Sequence, residues 1–318
     1  MRVIPAASID AAVTLRDLVE ALRAGFRGAT VAPEVIRETV SRPGRSDARV
    51  DIAPGWADFL AQGHSDRGYM GVRVSTAFPG NAALDRPEEM GVYVLMSGRT
   101  GEPLTIIDGT ALKLRCAAAT SALAAGYLAR ADARRLLVIG AGALAGYQIA
   151  GITAVRPVTE VLVWARTRRK ADALAGRMRN RDYRIAATGE LEEAVRGADI
   201  VVCATSSADP VLPGDWIGPG THVDLSGARF PDRRQADDRL AQAARIFVDT
   251  HDALRCCGDL VEPLDRGVLS AEDVAADLSQ LARGEKSGRR FDGQVTAFAA
   301  GGSAIADLAA AAHIFMRI

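Results

Sequence analysis

The sequence predicts an α/β protein in two lobes, an α+β lobe followed by a doubly wound parallel sheet. Three observations predict it. At 318 residues the chain exceeds the size, about 250 to 300 residues, at which a single core stops growing. From Arg49 to Ile107 short apolar runs alternate with turn residues, as in antiparallel sheet. From Arg134 the order becomes strand, glycine turn, helix, strand, as in parallel sheet.

In chain order, apolar residues after Ser8-Ile9-Asp10 recur at helical spacing through Leu15, Leu18, Leu22 and Phe26, which predicts an opening helix packed on the first lobe. The runs GVRVSTAF, GVYVLM and PLTIID then read as strands, the last two joined by the turn-prone Ser97-Gly98-Arg99-Thr100-Gly101. The Ala-rich stretch from Ala117 to Arg130 predicts a helix leading into the second lobe. There RLLVIG, EVLVWAR, ADIVVCAT, THVDLSG and RIFVDT are strand candidates, spaced by helical stretches such as ELEEAVRGA. The apolar helical run AIADLAAAAHIF, near the end, would return to the first lobe. These readings place one domain at 1–118 plus 294–318 and the other at 119–293.

Composition narrows the function. The 39 basic and 39 acidic residues cancel, which argues against a nucleic-acid or anionic-membrane partner and for a small ligand. Only Lys113, Lys170 and Lys286 are lysines. Cys116, Cys203, Cys256 and Cys257 lack metal-ligand spacing, and adjacent cysteines rarely bridge, so a reduced, cytoplasmic setting without a metal is expected. The first residues lack a charged stretch leading into an apolar run, so no leader is expected. No apolar run reaches the roughly 18 residues of a membrane span.

Gly140-Ala141-Gly142-Ala143-Leu144-Ala145 fits G-x-G-x-x-G/A directly after an apolar strand and at the opening of a helix. The first glycine permits the tight bend, the second lets the backbone approach a pyrophosphate, and the small third residue allows close helix-to-strand packing. Backbone N–H groups at the helix start suit the anion. The sequence therefore predicts a Rossmann-type dinucleotide domain. At the end of the second strand an acidic residue would hold the ribose 2′-hydroxyl of an unphosphorylated cofactor. Here Trp164-Ala165-Arg166-Thr167-Arg168-Arg169-Lys170 contains no carboxylate. An arginine there suits a 2′-phosphate, so NADP(H) is expected over NAD(H), with Arg166 and Thr167 as the contacts.

With these motifs in view, the chain resembles the ornithine cyclodeaminase and mu-crystallin family along almost its whole length. The likeness is carried by Pro79-Gly80-Asn81, TGEPLTIIDG, SALAAGYLAR, the GAGALA turn, VWART, CATSSADPVL, GTHVDLSG followed by RFPDRRQADD, and TAFAAGGSAIADLAAA. Within these motifs Thr205, Ser226 and Gly301 join the candidate cofactor residues. HVDLSGARFP and DTHDALRCCGDL favour the branch that reduces cyclic imino acids such as pyrroline-2-carboxylate and piperideine-2-carboxylate. The resemblance implies a homodimer whose first lobe supplies the interface and part of a substrate pocket. It also implies hydride transfer to a C=N carbon beside a carboxylate.

The chain departs from the family at several positions. Arg229 stands where cyclodeaminases carry an aspartate that assists proton movement, and an arginine cannot act as that base. The imine-reducing branch lacks the aspartate too. Arg73 replaces the family lysine before Pro79-Gly80-Asn81 and is expected to bind the substrate carboxylate. The family's arginine and threonine before its Ala run fall on Cys116 and Ala117, so either Arg115 takes over that grip or it is lost. Ala299 falls where relatives carry a lysine after the phenylalanine. The candidate substrate set is thus Arg73, Arg115 and Arg229. His222 reads as a structural histidine, Asp224, Asp232 and Asp237 are candidate acids, and no catalytic residue is assigned. The leading reading is an NADPH-dependent reductase of an imine, with an amino or keto acid as its parent. The alternatives are an amino-acid or N-substituted amino-acid dehydrogenase and a cofactor-binding protein with little catalysis.

Overall fold

The structure, a computed structural model, describes residues 1–57, 68–227 and 230–318. It divides into two compact units, Met1–Cys116 with Ser303–Ile318, and Ala117–Gly302.

The first unit contains β1 (Arg2–Ile4), α1 (Ala6–Ala12), α2 (Leu15–Arg27), β2 (Thr30–Val31), β3 (Ile36–Val40), β4 (Ala48–Ala57), β5 (Tyr69–Ala77), β6 (Glu89–Ser97) and β7 (Pro103–Asp108). The opening helix is split in two. Thr14 accepts from the Asp17 N–H while Asp17 reaches back to the Thr14 N–H, a capping box that starts α2 afresh. The strands form one sheet in the order β1-β7-β6-β5-β4-β2, with β3 also on β4, antiparallel except where β1 joins β7. Helix α3 (Gly109–Leu128) follows β7 directly, and the division between the units falls within it.

Cross-strand register sorts the sheet's residues onto two faces. One row reads Ala53, Arg73, Tyr93, Ile107, Ile4, and apart from Arg73 these are buried. The rows of the opposite face read Pro54, Val72, Val94, Ile106, Val3 and Ile36, Ile52, Val74, Val92. Those side chains are half-buried or exposed, with Val3, Ile36 and Val92 open to solvent.

The second unit continues through β8 (Arg135–Ile139), α4 (Ala143–Val155), β9 (Glu160–Trp164), α5 (Arg168–Arg177), β10 (Arg184–Ala187), α6 (Leu191–Gly197), β11 (Ile200–Cys203), β12 (His222–Leu225), α7 (Asp238–Ala243), β13 (Arg245–Val248), α8 (Ala253–Cys256), α9 (Gly258–Asp265), β14 (Val274–Asp277), α10 (Leu278–Arg283) and β15 (Thr296–Ala299). All strand pairs are parallel, in the order β10-β9-β8-β11-β12-β15-β13-β14. This is the doubly wound sheet the sequence predicts. Residues 294–302, read above as part of the first lobe, include β15, which pairs with β12 and β13 inside this sheet. The return to the first unit begins at Ser303, which caps α11 (Ala304–Arg317).

Helix α11 packs on the first unit's sheet and on α2 because glycines clear its path. A β carbon on Gly55 would lie 3.1 Å from the Ala304 β carbon, and one on Gly25 would lie 2.6 Å from that of Ala309. Apolar residues cover both faces of the parallel sheet in two separate clusters, as both faces of a doubly wound sheet require.

Candidate active site

The phosphate turn in the second unit is built from its backbone upward. β8 delivers the chain to Gly140, whose φ of 122° lies in the region that favours glycine. A β carbon there would sit 2.5 Å from the Ala204 carbonyl oxygen, and the Gly140 N–H donates to the Trp164 carbonyl at 2.7 Å. Gly142 caps α4 without any side-chain bond, and among the described residues nothing beyond its own chain neighbours lies within 4 Å of the place its β carbon would take. The space beside the helix start is therefore open, and backbone N–H groups at a helix start suit an anion such as a pyrophosphate. Ala145 is fully buried, which fits the close packing expected of the third motif position. A cleft of about 630 Å³ adjoins the turn, lined by Ala141, Gly142, Ala143, Tyr147, Lys170 and Arg177 among others. Leu144 is half-buried in the first turn of α4.

Arg166 and Thr167 follow β9 and are exposed. Thr167 caps α5 through its backbone, with no side-chain cap bond, so its hydroxyl is unspent by the helix. Arg168 is tied to Asp172 at 3.2 Å and to the Ala187 carbonyl at 3.1 Å. Arg166 has no ion pair among the described residues, which leaves its guanidinium open to a ligand phosphate.

Thr205, Ser226 and Gly301 lie just beyond the carboxyl ends of β11, β12 and β15, neighbouring strands at the edge where ligands of such sheets bind. The Thr205 carbonyl accepts from Gln235 Nε2 at 2.8 Å. Ser226 is buried, and Gln148 Nε2 donates to its hydroxyl at 2.8 Å and to that of Ser121 at 3.0 Å. Asp249, fully buried, accepts from the N–H groups of Gly301 and Gly302 at 3.1 and 2.8 Å. These residues fix the shape of the strand-end loops. The turn and the open space beside the helix start together fit a dinucleotide.

In the first unit, Arg73 on β5 lies opposite Tyr93 on β6 and meets Asp307 of α11, with Nη1 to Oδ2 at 3.0 Å. Burial, and secondarily the Asp307 charge, push the Tyr93 phenol well above its usual ionisation range, so it stays protonated. Cys116 Sγ faces the Ala306 carbonyl of the same helix at 3.8 Å. Arg115, one residue back and so about 100° around α3, is buried, with its guanidinium on Asp10 and on the Ala111 carbonyl at 2.8 Å. Arg229 lies outside the described residues.

The remaining polar candidates have structural surroundings. His222 is fully buried, with Nδ1 3.0 Å from Thr296 Oγ1, and burial followed by the charges of Arg289 and Arg156 lowers its pKa to about 3. It is therefore neutral near pH 7. Asp237 caps α7 by accepting from Arg239 and Leu240, and also from the Gly214 N–H. Asp232 pairs loosely with Arg233 at the surface, and Asp224 is buried within β12. Among the described residues no metal-binding cluster occurs and no helix is long and apolar enough to cross a membrane.

Asp307, Tyr93 and Gln148 escape motif reading. Asp307 carries a usable signal, one carboxylate within the apolar run AIADLAAAAHIF at a position the structure buries.

The ornithine cyclodeaminase/mu-crystallin family model matches residues 3–318. A Delta(1)-pyrroline-2-carboxylate reductase of Paracoccus denitrificans is 37% identical, over 94% of this chain and 91% of that protein. The Arabidopsis thaliana protein SAR DEFICIENT 4 is 32% identical, over 96% and 94%. Among solved structures, an archaeal alanine dehydrogenase dimer with bound NAD superposes with a TM-score of 0.90 at 25% identity, covering 100% of this chain and 95% of that one. The Thermococcus litoralis Delta(1)-pyrroline-2-carboxylate reductase, solved with NADH and L-proline, gives 0.89 at 24% identity, covering 100% and 97%, a likeness of fold. The glycine turn, the strand order and these matches over nearly the full length agree, and the chain belongs to the ornithine cyclodeaminase/mu-crystallin family.

Proposed function

We propose that this chain is an NADPH-dependent reductase of imines that carry a carboxylate beside the C=N bond, acting on cyclic imino acids or ketimines to give amino acids. The observation that carries the cofactor choice is Arg166, an open guanidinium at the end of β9 where an acidic residue would favour NADH. Gly140 to Leu144 would hold the pyrophosphate, Arg166 and Thr167 the 2′-phosphate, and the loops of Thr205, Ser226 and Gly301 would shape the remainder of the site. The bound nicotinamide supplies the hydride. The protein's part is to grip the carboxylate and orient the C=N bond, and Arg73 has the permanent charge and planar donors for that grip. Arg115 and Arg229 are the further candidates for it. The reductases among the relatives act on substrates of this kind.

The test is loss of reduced-cofactor absorbance with pyrroline-2-carboxylate, piperideine-2-carboxylate and mixtures of keto acids with amines, each with NADPH and NADH. Turnover on a cyclic imine with NADPH favoured is the expected outcome. Turnover only with a keto acid and free amine would replace this reading with an amino-acid dehydrogenase. Tight NADPH binding without turnover across the panel would replace it with a cofactor-binding role.

The same reading includes a homodimer formed through the open face of the first unit's sheet. Rows of valine and isoleucine left facing solvent are costly for a monomer, and a second copy offers a matching apolar surface. Val94→Glu, in the middle of that face, is expected to sediment as a monomer where the parent is a dimer. A parent that sediments as a monomer would overturn this part.

A further inference from the structure

Between the row of sheet residues beneath α11 and the helix itself lies a charge pair, Arg73 and Asp307, whose arrangement goes beyond anchoring the helix. We propose that Asp307 is a positioning residue that holds the Arg73 guanidinium in place for the substrate carboxylate, an inference that rests on the reading of Arg73 given above.

Both partners are sequestered, with the Arg73 side chain 15% and the Asp307 side chain 4% exposed. Their 3.0 Å contact is close but not aligned as a hydrogen bond, and Asp307 Oδ2 receives no donor among the described residues. Arg73 Nε is buried with no acceptor among the described residues. The carboxylate thus fixes the guanidinium by charge while leaving donor capacity unspent. An arginine made for structure alone would use its buried donors. A planar fork with donors to spare suits a ligand carboxylate, which accepts two at once.

The neighbours hold Asp307 in place. It lies in the first turn of α11, where Ser303 caps the helix and its carbonyl accepts from the Asp307 N–H at 3.1 Å. Gly55 and Gly25 let that helix sit close to the sheet and to α2. On the Arg73 side, Gly71 leaves room for Tyr93, since a β carbon at Gly71 would meet the phenol oxygen at 2.2 Å. Tyr93 stays neutral, so it walls the arginine without competing for its charge.

The test combines Arg73→Met, Asp307→Asn and the double variant, read by KM and kcat for piperideine-2-carboxylate, NADPH affinity and melting temperature. Asp307→Asn is expected to raise the imine KM about tenfold, the order of one lost charge-assisted contact, while NADPH affinity stays within about twofold. In the Arg73→Met background the same change is expected to have no further effect on KM. The double variant is expected to melt above Arg73→Met, which leaves a buried carboxylate unpaired. If Arg73→Met raises KM and Asp307→Asn does not, the positioning role falls while the Arg73 reading survives. If neither variant changes KM, the Arg73 reading itself falls. Additive effects on KM would show that Asp307 acts other than through Arg73 and overturn the proposal. Should Asp307→Asn fail to fold, Asp307→Glu keeps the charge on a longer arm. A raised KM at near-parental melting temperature is then expected, and a parental KM overturns the inference.

Discussion

In the second unit the residues that would hold a pyrophosphate are consecutive, Gly140 to Ala145, at a strand-to-helix turn whose geometry depends on its own few residues. In the first unit the charge cluster draws Arg73 from β5, Tyr93 from β6 and Asp307 from α11, positions that come together only when the sheet and the last helix have packed. A local turn advertises itself through spacing, whereas a convergent cluster depends on register and on glycines that let distant elements approach. The two regions should therefore respond differently to substitution.

The largest effect is expected within the phosphate turn. Gly140→Val places a side chain where φ is 122° and the Ala204 backbone stands 2.5 Å away, so neither strain nor clash can relax cheaply. A loss of about 3 kcal/mol of stability, with NADPH binding abolished, is expected from thermal melts with and without cofactor. Gly142→Ala, two residues on, meets open space and leaves φ in the ordinary region. It is expected to melt like the parent and to weaken NADPH binding about tenfold, because the added methyl group occupies the ligand's approach. Equal melting temperatures for the two variants would break the account of the turn.

How much was legible follows the same division. The parallel sheet and its glycine turn could be read because apolar runs and motif spacing are properties of short segments, and so could the antiparallel strands joined at Ser97–Gly101. The split between α1 and α2 was hidden under a helical periodicity that runs through it. The extended backbone at Val13 and Thr14 and the reciprocal bonds of Thr14 and Asp17 disclose the new start. The second domain boundary was misplaced because the chain does not leave the parallel sheet at Gly293. It first adds β15 between β12 and β13, an insertion no local pattern marks. Arg73 drew notice by resemblance, but its partner Asp307 sits in an apolar run near the other end of the chain.

A smaller effect is expected at Arg166, exposed and outside any packed core. Arg166→Ala should leave the melting temperature unchanged and raise the NADPH KM about 10- to 100-fold, the range for losing one or two charge-assisted bonds. The NADH KM should stay within about twofold. Equal losses with both cofactors would mean that the arginine touches a part of the dinucleotide common to both.

The last effect concerns pH and sets two buried groups of the second unit against each other. Burial is the largest influence on the ionisation of His222 and of Asp259. Burial raises Asp259 from 3.8 to about 6, although the N–H groups of Gln235 and Ala236 and the Arg234 charge pull it down. The folded chain thus holds a proton that the unfolded chain gives up, and this stabilisation, full below about pH 3.8, is lost as pH rises to about 6. His222, lowered from 6.5 to about 3, acts in the opposite sense. Its contribution is present above about pH 6.5 and is lost as pH falls toward about 3. Between about pH 4 and 6 the two slopes oppose each other, so together they move the parent's stability little. Asp259→Asn keeps an oxygen for the two N–H groups that Oδ1 now accepts, at 2.7 and 2.9 Å, and removes one titration. Any cost of burying the new amide hydrogens is independent of pH and cannot imitate a slope. The variant's stability should therefore rise with pH across that window more steeply than the parent's, by on the order of 2 kcal/mol in denaturant melts at matched pH. Parallel curves would show that Asp259 ionises in the fold as it does in the unfolded chain, and would remove its opposition to His222.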